Sequence, residues 1–203
     1  MTPGPLQIYR DDGPLARAIG RLVAAPEAIV AVLGAAVLGV VLGLSDDATP
    51  AGLLIGGVAL AVVIVATGAG RPHDGAFSWL VPPVLRALEY AGLIRLTSLA
   101  DPDAMPICFA LLAVLAFHHY DIVYRLRQQG AAPPAWTRTV GGGWEGRLLV
   151  AAVLAAFDVL GTGMLVAAIA LTCVWVGESV ASWTSYARAL RPAVIDDEEA
   201  EDE

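Results

Sequence analysis

Three residues of one predicted helix have the types and the spacing of a small reactive site. His118, Asp121 and Arg125 stand at i, i+3 and i+7 and therefore share one helix face. His119 is rotated away from that face by about 100°. An imidazole and a carboxylate suit general base chemistry or metal binding, and a guanidinium suits an anion. We predict His118 and Asp121 as catalytic and Arg125 as a phosphate ligand; the alternative is an Asp121–Arg125 ion pair beside an interfacial histidine.

Five more residues are predicted to bind phosphate or substrate from the same side of the protein. Arg86 and Glu89 stand at i and i+3 with Tyr90 on the same face. Either the two charges form a buried ion pair, or Arg86 binds phosphate with its bidentate fork. Arg147 follows a run of glycines at a predicted helix start, where free backbone N–H groups favour an anion. Glu178, in the last predicted helix, either closes this polar region or extends towards the membrane surface.

Asp74 and Asp121 are the candidate metal ligands. Asp74 precedes a predicted helix, so its position is equally well explained by an N-cap role. The two cysteines, Cys108 and Cys173, lie in apolar stretches and lack the spacing of a disulfide framework or a metal knuckle. We predict that both cysteines are packing residues.

The composition is that of a membrane protein. The chain has 203 residues, of which 57% are hydrophobic and 16% charged, and its mean hydropathy is +0.68. Seven of the negative charges behind the formal net charge of −8 lie in residues 196–203, so the rest of the chain is nearly neutral. Such a run stays solvated and argues against nucleic acid as a partner. Residues 1–25 are polar and predict no cleavable signal.

Six stretches are apolar enough to cross a membrane as helices. They cover residues 28–44, 50–68, 78–99, 104–117, 144–160 and 164–186. The third is interrupted by three charged residues, and the fourth continues as a helix towards Arg127 and a C-cap at Gly130. The sequence Gly161-Thr162-Gly163 predicts a tight hairpin between the last two spans.

The arginines predict the orientation of these spans. With the N-terminus inside, ten of the 12 basic residues lie on the cytoplasmic side, as the positive-inside rule requires. We therefore predict an all-α integral membrane protein of the bacterial cytoplasmic (inner) membrane, multi-pass, with six transmembrane helices and both termini cytoplasmic. Residues 1–25 form an interfacial segment that could contain an amphipathic surface helix. Residues 26–187 form the membrane domain, and residues 188–203 form an acidic disordered tail.

Several motifs, spread over nearly the whole chain, resemble an uncharacterised bacterial membrane-domain family. The motifs are His73-Asp74-Gly75, Trp79-Leu80-Val81-Pro82-Pro83 with Arg86-Ala87-Leu88-Glu89-Tyr90, Phe117-His118-His119-Tyr120-Asp121 with Tyr124-Arg125, Gly143-Trp144-Glu145-Gly146-Arg147, and Glu178-Ser179 with Ser182-Trp183. Members of that family are often fused to nucleotidyltransferase and CDP-alcohol phosphatidyltransferase domains. The resemblance implies a transferase as partner, in the membrane or in the cytosol.

The predicted six-span architecture is also similar to that of CDP-alcohol phosphatidyltransferases. This similarity implies a phosphate-bearing or CDP-linked substrate and Mg²⁺ or Mn²⁺ as cofactor. The hallmark D-x-x-D-G-x-x-A-R followed by G-x-x-x-D-x-x-x-D is missing from the chain. The segment Asp12-Gly13-Pro14-Leu15-Ala16-Arg17 reproduces only the D-G-x-x-A-R fragment, which we interpret as a coincidence.

Three functions are compatible with these features. The first is a membrane-embedded protein of lipid or polar-headgroup metabolism with a phosphate-binding site at the cytoplasmic face, extending to CDP-alcohol-type phosphotransfer. The second is a catalytically degenerate, transferase-like scaffold or regulatory subunit of a membrane phosphotransferase, for which the missing metal motif argues. The third is a small-solute transporter. The expected partners are the lipid bilayer, a transferase, or a second copy of the chain.

Overall fold

The fold is all-helical, as predicted. The computed structural model describes residues 5–46, 48–71 and 73–199, and within these it describes the side chains of residues 7–188. This part of the chain contains no β-strand. Its α-helices are α1 (Pro5–Tyr9), α2 (Pro14–Leu22), α3 (Glu27–Leu44), α4 (Ala51–Ala66), α5 (Val81–Ala100), α6 (Met105–Gln128), α7 (Ala135–Val140), α8 (Gly143–Ala156) and α9 (Leu160–Glu199).

Four helical segments are long and apolar enough to cross a membrane, as expected of a membrane protein. They are Glu27–Leu44, Ala51–Gly70, Pro102–Gln128 and Leu160–Arg188. The other two predicted spans correspond to α5 and α8. Helix α5 carries three charged residues between positions 86 and 95, and α8 has only 14 residues.

The two more polar helices lie between the apolar ones. Helices α3, α4, α8 and α5 pack in a ring, in that order, and α6 and α9 form a pair that packs beside α5 and α8. Helix α5 therefore contacts α3, α6, α8 and α9. Because neighbouring helices surround them, α5 and α8 can direct charged side chains at protein groups instead of at lipid.

The turn between the last two helices differs from the prediction. Helix α9 already begins at Leu160, so the predicted hairpin at Gly161-Thr162-Gly163 is wrong, and these residues form the first turn of α9. The chain reverses just before them, where Asp158 has a left-handed φ of +56° that aspartate tolerates better than most residues. Position 163 needs a glycine because of packing and not because of a turn. A Cβ on residue 163 would overlap the side chain of Leu154. The glycine marks a close helix contact.

The N-terminal segment is packed onto the bundle. Helix α2 buries Ala16 and Gly20 and contacts α4 and the Thr67–Gly70 turn, while it exposes the apolar side chains of Leu15 and Leu22. The turn between α1 and α2 inserts among the helices. Helix α9 is described as far as Glu199. Residues 1–4 of the predicted N-terminal segment and residues 200–203 of the predicted acidic tail lie outside the described residues.

Candidate functional site

A buried carboxylate is the centre of the largest polar cluster. Asp11 lies in the turn between α1 and α2 with a left-handed φ of +55°, and it is fully buried. Its Oδ2 accepts a hydrogen bond of 2.8 Å from Arg147 Nη2, and Arg86 Nη1 lies 4.0 Å from the same oxygen. Two imidazoles flank it, with His118 Nε2 3.6 Å from Oδ1 and His119 Nε2 3.5 Å from Oδ2. Four elements therefore converge on one carboxylate.

Glu89 is the second carboxylate of this cluster. It is fully buried on α5, where Arg147 Nε donates to its Oε1 over 2.5 Å and Arg86 Nη1 donates to its Oε2 over 2.8 Å. Two arginines and two carboxylates thus balance in charge. We use the name Asp11 cluster for Asp11, Arg86, Glu89, His118, His119 and Arg147.

Glu145 holds the N-terminal turn in place. Its carboxylate accepts hydrogen bonds from the backbone N–H groups of Gly13 (3.1 Å) and Ala16 (3.0 Å), so a side chain of α8 caps the first turn of α2. Gly13 packs directly on Gly143, and neither position has room for a Cβ. This close approach places Asp11 against Arg147.

The neighbours of Asp11 anchor the same turn. Arg10 and Asp12 are buried and form an ion pair in which Arg10 Nε lies 2.7 Å from Asp12 Oδ2. The indole of Trp144, itself fully buried, donates to Asp12 Oδ1 over 3.0 Å. The D-G-x-x-A-R fragment that begins at Asp12 therefore lies beside the Asp11 cluster.

A cavity opens onto Arg86 and His119 of the Asp11 cluster. It has a volume of about 300 Å³ and lies between the N-terminal segment, α5 and α6. Arg86 and His119 are its charged and titratable lining groups, with side chains 15% and 14% exposed. Tyr90 Oη is 2.8 Å from His119 Nδ1, so the imidazole bridges a phenol and the carboxylate of Asp11. The remaining lining residues are Tyr9, Trp79, Pro82, Pro83, Ile122 and Val123.

His118, predicted as catalytic, faces away from this cavity. Its ring stacks on the indole of Trp175, with centroids 3.9 Å apart and planes inclined by 9°. Only 3% of its side chain is exposed. The structure therefore brings His118 to Asp11 but brings His119, the neighbour that the helix periodicity set aside, to the cavity.

Three other predicted site residues form a separate network between α6 and α9. Arg125 donates to both carboxylate oxygens of Glu178, over 3.0 and 2.7 Å, and its Nε lies 2.9 Å from Asp121 Oδ2. Ser179 donates to the other oxygen of Asp121 over 3.0 Å. We use the name Arg125 cluster for these four residues. The predicted Asp121–Arg125 ion pair is present in it.

The two predicted metal ligands lie in different surroundings. Asp74 is exposed in the loop before α5, whereas Asp121 belongs to the Arg125 cluster. Near Asp74, the buried Glu27 contacts His73 and accepts a hydrogen bond from Ser78. Among the described residues, no three His, Cys, Asp or Glu side chains are grouped as a metal site would need.

The charge on Asp11 is stabilised by its neighbours. Burial alone raises the pKa of a carboxyl, but the Arg147 guanidinium and the two imidazoles hold the pKa of Asp11 well below its ordinary value. Asp11 is therefore ionised at neutral pH. The Asp11 cluster combines a fixed anion, two imidazoles and two guanidiniums, a set that can orient and exchange protons beside a bound anion.

Sequence reasoning missed Asp11 and His119. The only local signal for Asp11 was an adjacent pair of aspartates in an otherwise mixed N-terminal segment. Its importance comes from partners at positions 86, 118, 119 and 147, which no short motif connects.

Comparison with known proteins adds a family but no precedent for the site. No curated protein and no solved structure has a significant match to the chain. One family model, described as a family of unknown function (DUF5941), matches residues 5–201, and the chain therefore belongs to that family.

Proposed function

We propose that this chain is a bacterial cytoplasmic-membrane protein of lipid or polar-headgroup metabolism, which binds a phosphate-bearing headgroup at its cytoplasmic side. The observation that carries the proposal is the cavity onto which Arg86 and His119 open together. A guanidinium binds phosphate oxygens, and a neighbouring imidazole can exchange a proton with an alcohol or a phosphate. This pairing supports CDP-alcohol-type phosphotransfer as the reaction class.

The surroundings of His119 suit proton transfer. Tyr90 contacts one ring nitrogen, and the Asp11 carboxylate lies behind the other. A carboxylate in that position orients an imidazole and stabilises the imidazolium that forms when the ring takes up a proton. In the proposed role, Arg86 binds the headgroup phosphate, His119 holds the proton, and Asp11 is a positioning residue.

Mg²⁺ or Mn²⁺ belongs to the implied reaction class, but the predicted ligands do not fit a metal centre. Asp74 is exposed, and both oxygens of Asp121 are engaged by Arg125 and Ser179. A site for either ion needs several oxygen ligands around one point. The proposal therefore routes no step through a metal.

We also infer six membrane spans with both termini cytoplasmic. Helix α5 has 20 residues, a length of about 30 Å, which equals the thickness of the hydrocarbon core. Helix α8 is shorter, about 21 Å, but it packs between α4 and α5 and so reaches the same layer. Arg86, Glu89 and Arg147 form ion pairs inside the bundle, whereas Arg95 and Glu145 form hydrogen bonds with backbone groups. These contacts offset the low hydropathy of both helices.

Thiol labelling tests this topology. Single cysteines at the exposed positions Ala48 and Ala131 are introduced into a variant that lacks Cys108 and Cys173. A membrane-impermeant reagent applied to intact cells should label position 48 and leave position 131 unlabelled until the cells are opened. Labelling of position 131 in intact cells would overturn the six-span topology.

Thermal stability in detergent tests the headgroup site. CDP-alcohols, inositol phosphate and glycerol phosphate are added with and without Mg²⁺ or Mn²⁺; a ligand at 100 times its Kd adds about 2.7 kcal/mol, or about 5–11 °C in Tm. Val123→Phe narrows the cavity, while Val166→Phe changes an exposed position of α9 and is the matched control. We expect the shift to disappear in Val123→Phe and in His119→Gln only. A shift that survives both variants would refute the site.

One observation favours a second function, that of a transferase-like scaffold or regulatory subunit. Arg125 and Arg147, two predicted phosphate ligands, are each engaged by two carboxylates. Such networks stabilise a fold without needing a ligand. If no ligand changes Tm, and the protein copurifies in a stable complex with a CDP-alcohol phosphatidyltransferase or a nucleotidyltransferase, this second function is supported over the first.

A further inference from the structure

A second cavity, separate from the headgroup site, lies between α8 and α9. Its volume is about 330 Å³, and its walls are apolar along most of its length. It follows α8 from Gly146 to Leu154 and α9 from Gly163 to Leu171, a distance of about 12 Å on each helix. Small side chains line much of it, so it forms a narrow groove. The groove has the shape and the surface of a channel for a hydrocarbon chain.

One end of this groove is polar. Val140, Gly141 and Gly142 form the rim there, directly after the short helix α7. Arg147 also reaches this end, but its guanidinium is already bound by Asp11, Glu89 and the carbonyl of Gly141. Other cations must therefore hold any anion at the rim.

Two further guanidiniums lie near the rim without lining the groove itself. Arg17 of α2 donates to the carbonyl of Gly13 over 3.0 Å and lies 3.5 Å from the hydroxyl of Thr139, the residue before Val140. Arg138 is adjacent to Thr139 in α7 and is half-buried. Within the described part of the chain, no carboxylate oxygen lies within 4 Å of either guanidinium.

The two cations disfavour each other. Burial and the neighbouring Arg17 guanidinium lower the pKa of Arg138 by more than the carboxylates of Asp11 and Asp12 raise it. Bringing two like charges together without a counter-ion in direct contact costs free energy, which a bound anion recovers. Phosphate suits such a pair because each guanidinium can donate two parallel hydrogen bonds to its oxygens.

We propose that the α8–α9 groove binds one anionic phospholipid, with its phosphate between Arg17 and Arg138 and an acyl chain along Gly146, Val150 and Leu154. Arg17 contacts Thr139, which follows Arg138 and precedes Val140 at the rim, so the two cations lie next to the end of the apolar groove, as a phosphate lies next to an acyl chain. Anionic lipids are the membrane component that positive clusters at the cytoplasmic surface attract. The site shares no residue with the Arg86–His119 cavity, so it holds whether or not the proposed function does.

Lipid binding to the purified full chain in mixed micelles tests the headgroup part of this proposal. Phosphatidylglycerol should raise Tm at lower concentration than phosphatidylcholine does. Arg138→Gln should weaken the apparent affinity for phosphatidylglycerol about tenfold, the loss expected for one charge-assisted contact. The matched control is Arg127→Gln, which removes an exposed arginine at the end of α6 and should leave the affinity unchanged. Equal effects of the two variants, or equal responses to the two lipids, would overturn the proposal.

A groove-filling variant tests the acyl-chain part. A Cβ at Gly146 meets no atom within 4 Å, so Gly146→Phe should fold and place its ring in the groove. Gly56 of α4 has equally open surroundings and lines neither cavity, so Gly56→Phe is the control. We expect Gly146→Phe alone to abolish the response to phosphatidylglycerol. A full response in that variant, or a Tm shift with glycerol phosphate that Arg138→Gln abolishes and His119→Gln does not, would refute a lipid as the occupant.

Discussion

Replacing Asp11 with asparagine should destabilise the protein more than any other single carboxylate-to-amide change in the N-terminal segment. Asp11 is fully buried and lies 2.8 Å from Arg147. Removing one member of a buried ion pair costs about 3–5 kcal/mol because the other charge stays buried. Arg147 keeps Glu89, so we expect the lower value, about 3 kcal/mol, which corresponds to a decrease of about 6–12 °C in Tm.

The assay is thermal unfolding of the detergent-purified protein, and the chain offers a matched control. Asp158 is exposed and has nearly the same left-handed backbone conformation, with φ +56° against +55° for Asp11. Asparagine tolerates that conformation, so both substitutions remove one negative charge without straining the backbone; they differ in that the charge of Asp11 is buried and paired, whereas that of Asp158 is exposed. Asp158→Asn should change Tm by about 2 °C or less. If Asp11→Asn behaves like Asp158→Asn, the Asp11 cluster does not hold the N-terminal segment in the bundle.

Three further predictions use the same assay. Because the pKa of Asp11 is held well below the ordinary value of about 3.9, its contribution is complete above that pH and lost as the pH falls further. The Tm difference between wild type and Asp11→Asn should therefore be constant between about pH 5 and pH 8 and narrow below about pH 4; a difference that narrows at neutral pH would contradict the low pKa. Gly143→Ala should lower Tm, because φ at this position is +69° and the new Cβ would overlap the backbone of Gly13. Gly146→Ala has room for its Cβ and should raise the free energy of unfolding by about 0.5–1 kcal/mol. Equal effects of the two substitutions would show that the N-terminal turn does not pack on Gly143. A double-mutant cycle on Arg125→Gln and Glu178→Gln should give a coupling of about 0.5–3 kcal/mol, and additivity would show that the pair is not coupled.

The first two apolar helices could be predicted from the sequence to within two residues, whereas the last, predicted as 164–186, spans Leu160–Glu199. Helix α3 spans Glu27–Leu44 against a predicted 28–44, because a long apolar run between a proline and a polar loop leaves little choice of boundary. The turn between the last two helices was predicted less well, because a glycine can either form a turn or allow two helices to pack closely. Gly163 was interpreted as a turn residue, yet its role is to let Leu154 pack against α9, a contact between residues of two helices.

Most residues of the candidate site could be predicted from the sequence, but their division into the Asp11 cluster and the Arg125 cluster could not. Helical spacing correctly placed Arg86 beside Glu89 and Asp121 beside Arg125. It could not show that these pairs belong to two clusters, because the division depends on which helices are neighbours in space. The same spacing separated His118 from His119 correctly but gave no means of deciding which of them lines the cavity, since that depends on the position of the N-terminal segment.

The arginines of this protein differ in function because they differ in their counter-charges. Arg147 has two buried carboxylate partners, Asp11 and Glu89, which engage its guanidinium inside the fold, so we expect it to act as a structural cation. Arg86 donates to Glu89 and to two backbone carbonyls of the N-terminal segment, lies 4.0 Å from Asp11, and keeps 15% of its side chain exposed in the cavity where we propose that it binds an anion. Arg17 and Arg138 have no carboxylate within 4 Å among the described residues, and they lie beside an apolar groove. Ligand binding should therefore depend most on the arginines that contribute least to the folded core, and the Arg138→Gln variant should lose lipid affinity while keeping the Tm of the lipid-free protein.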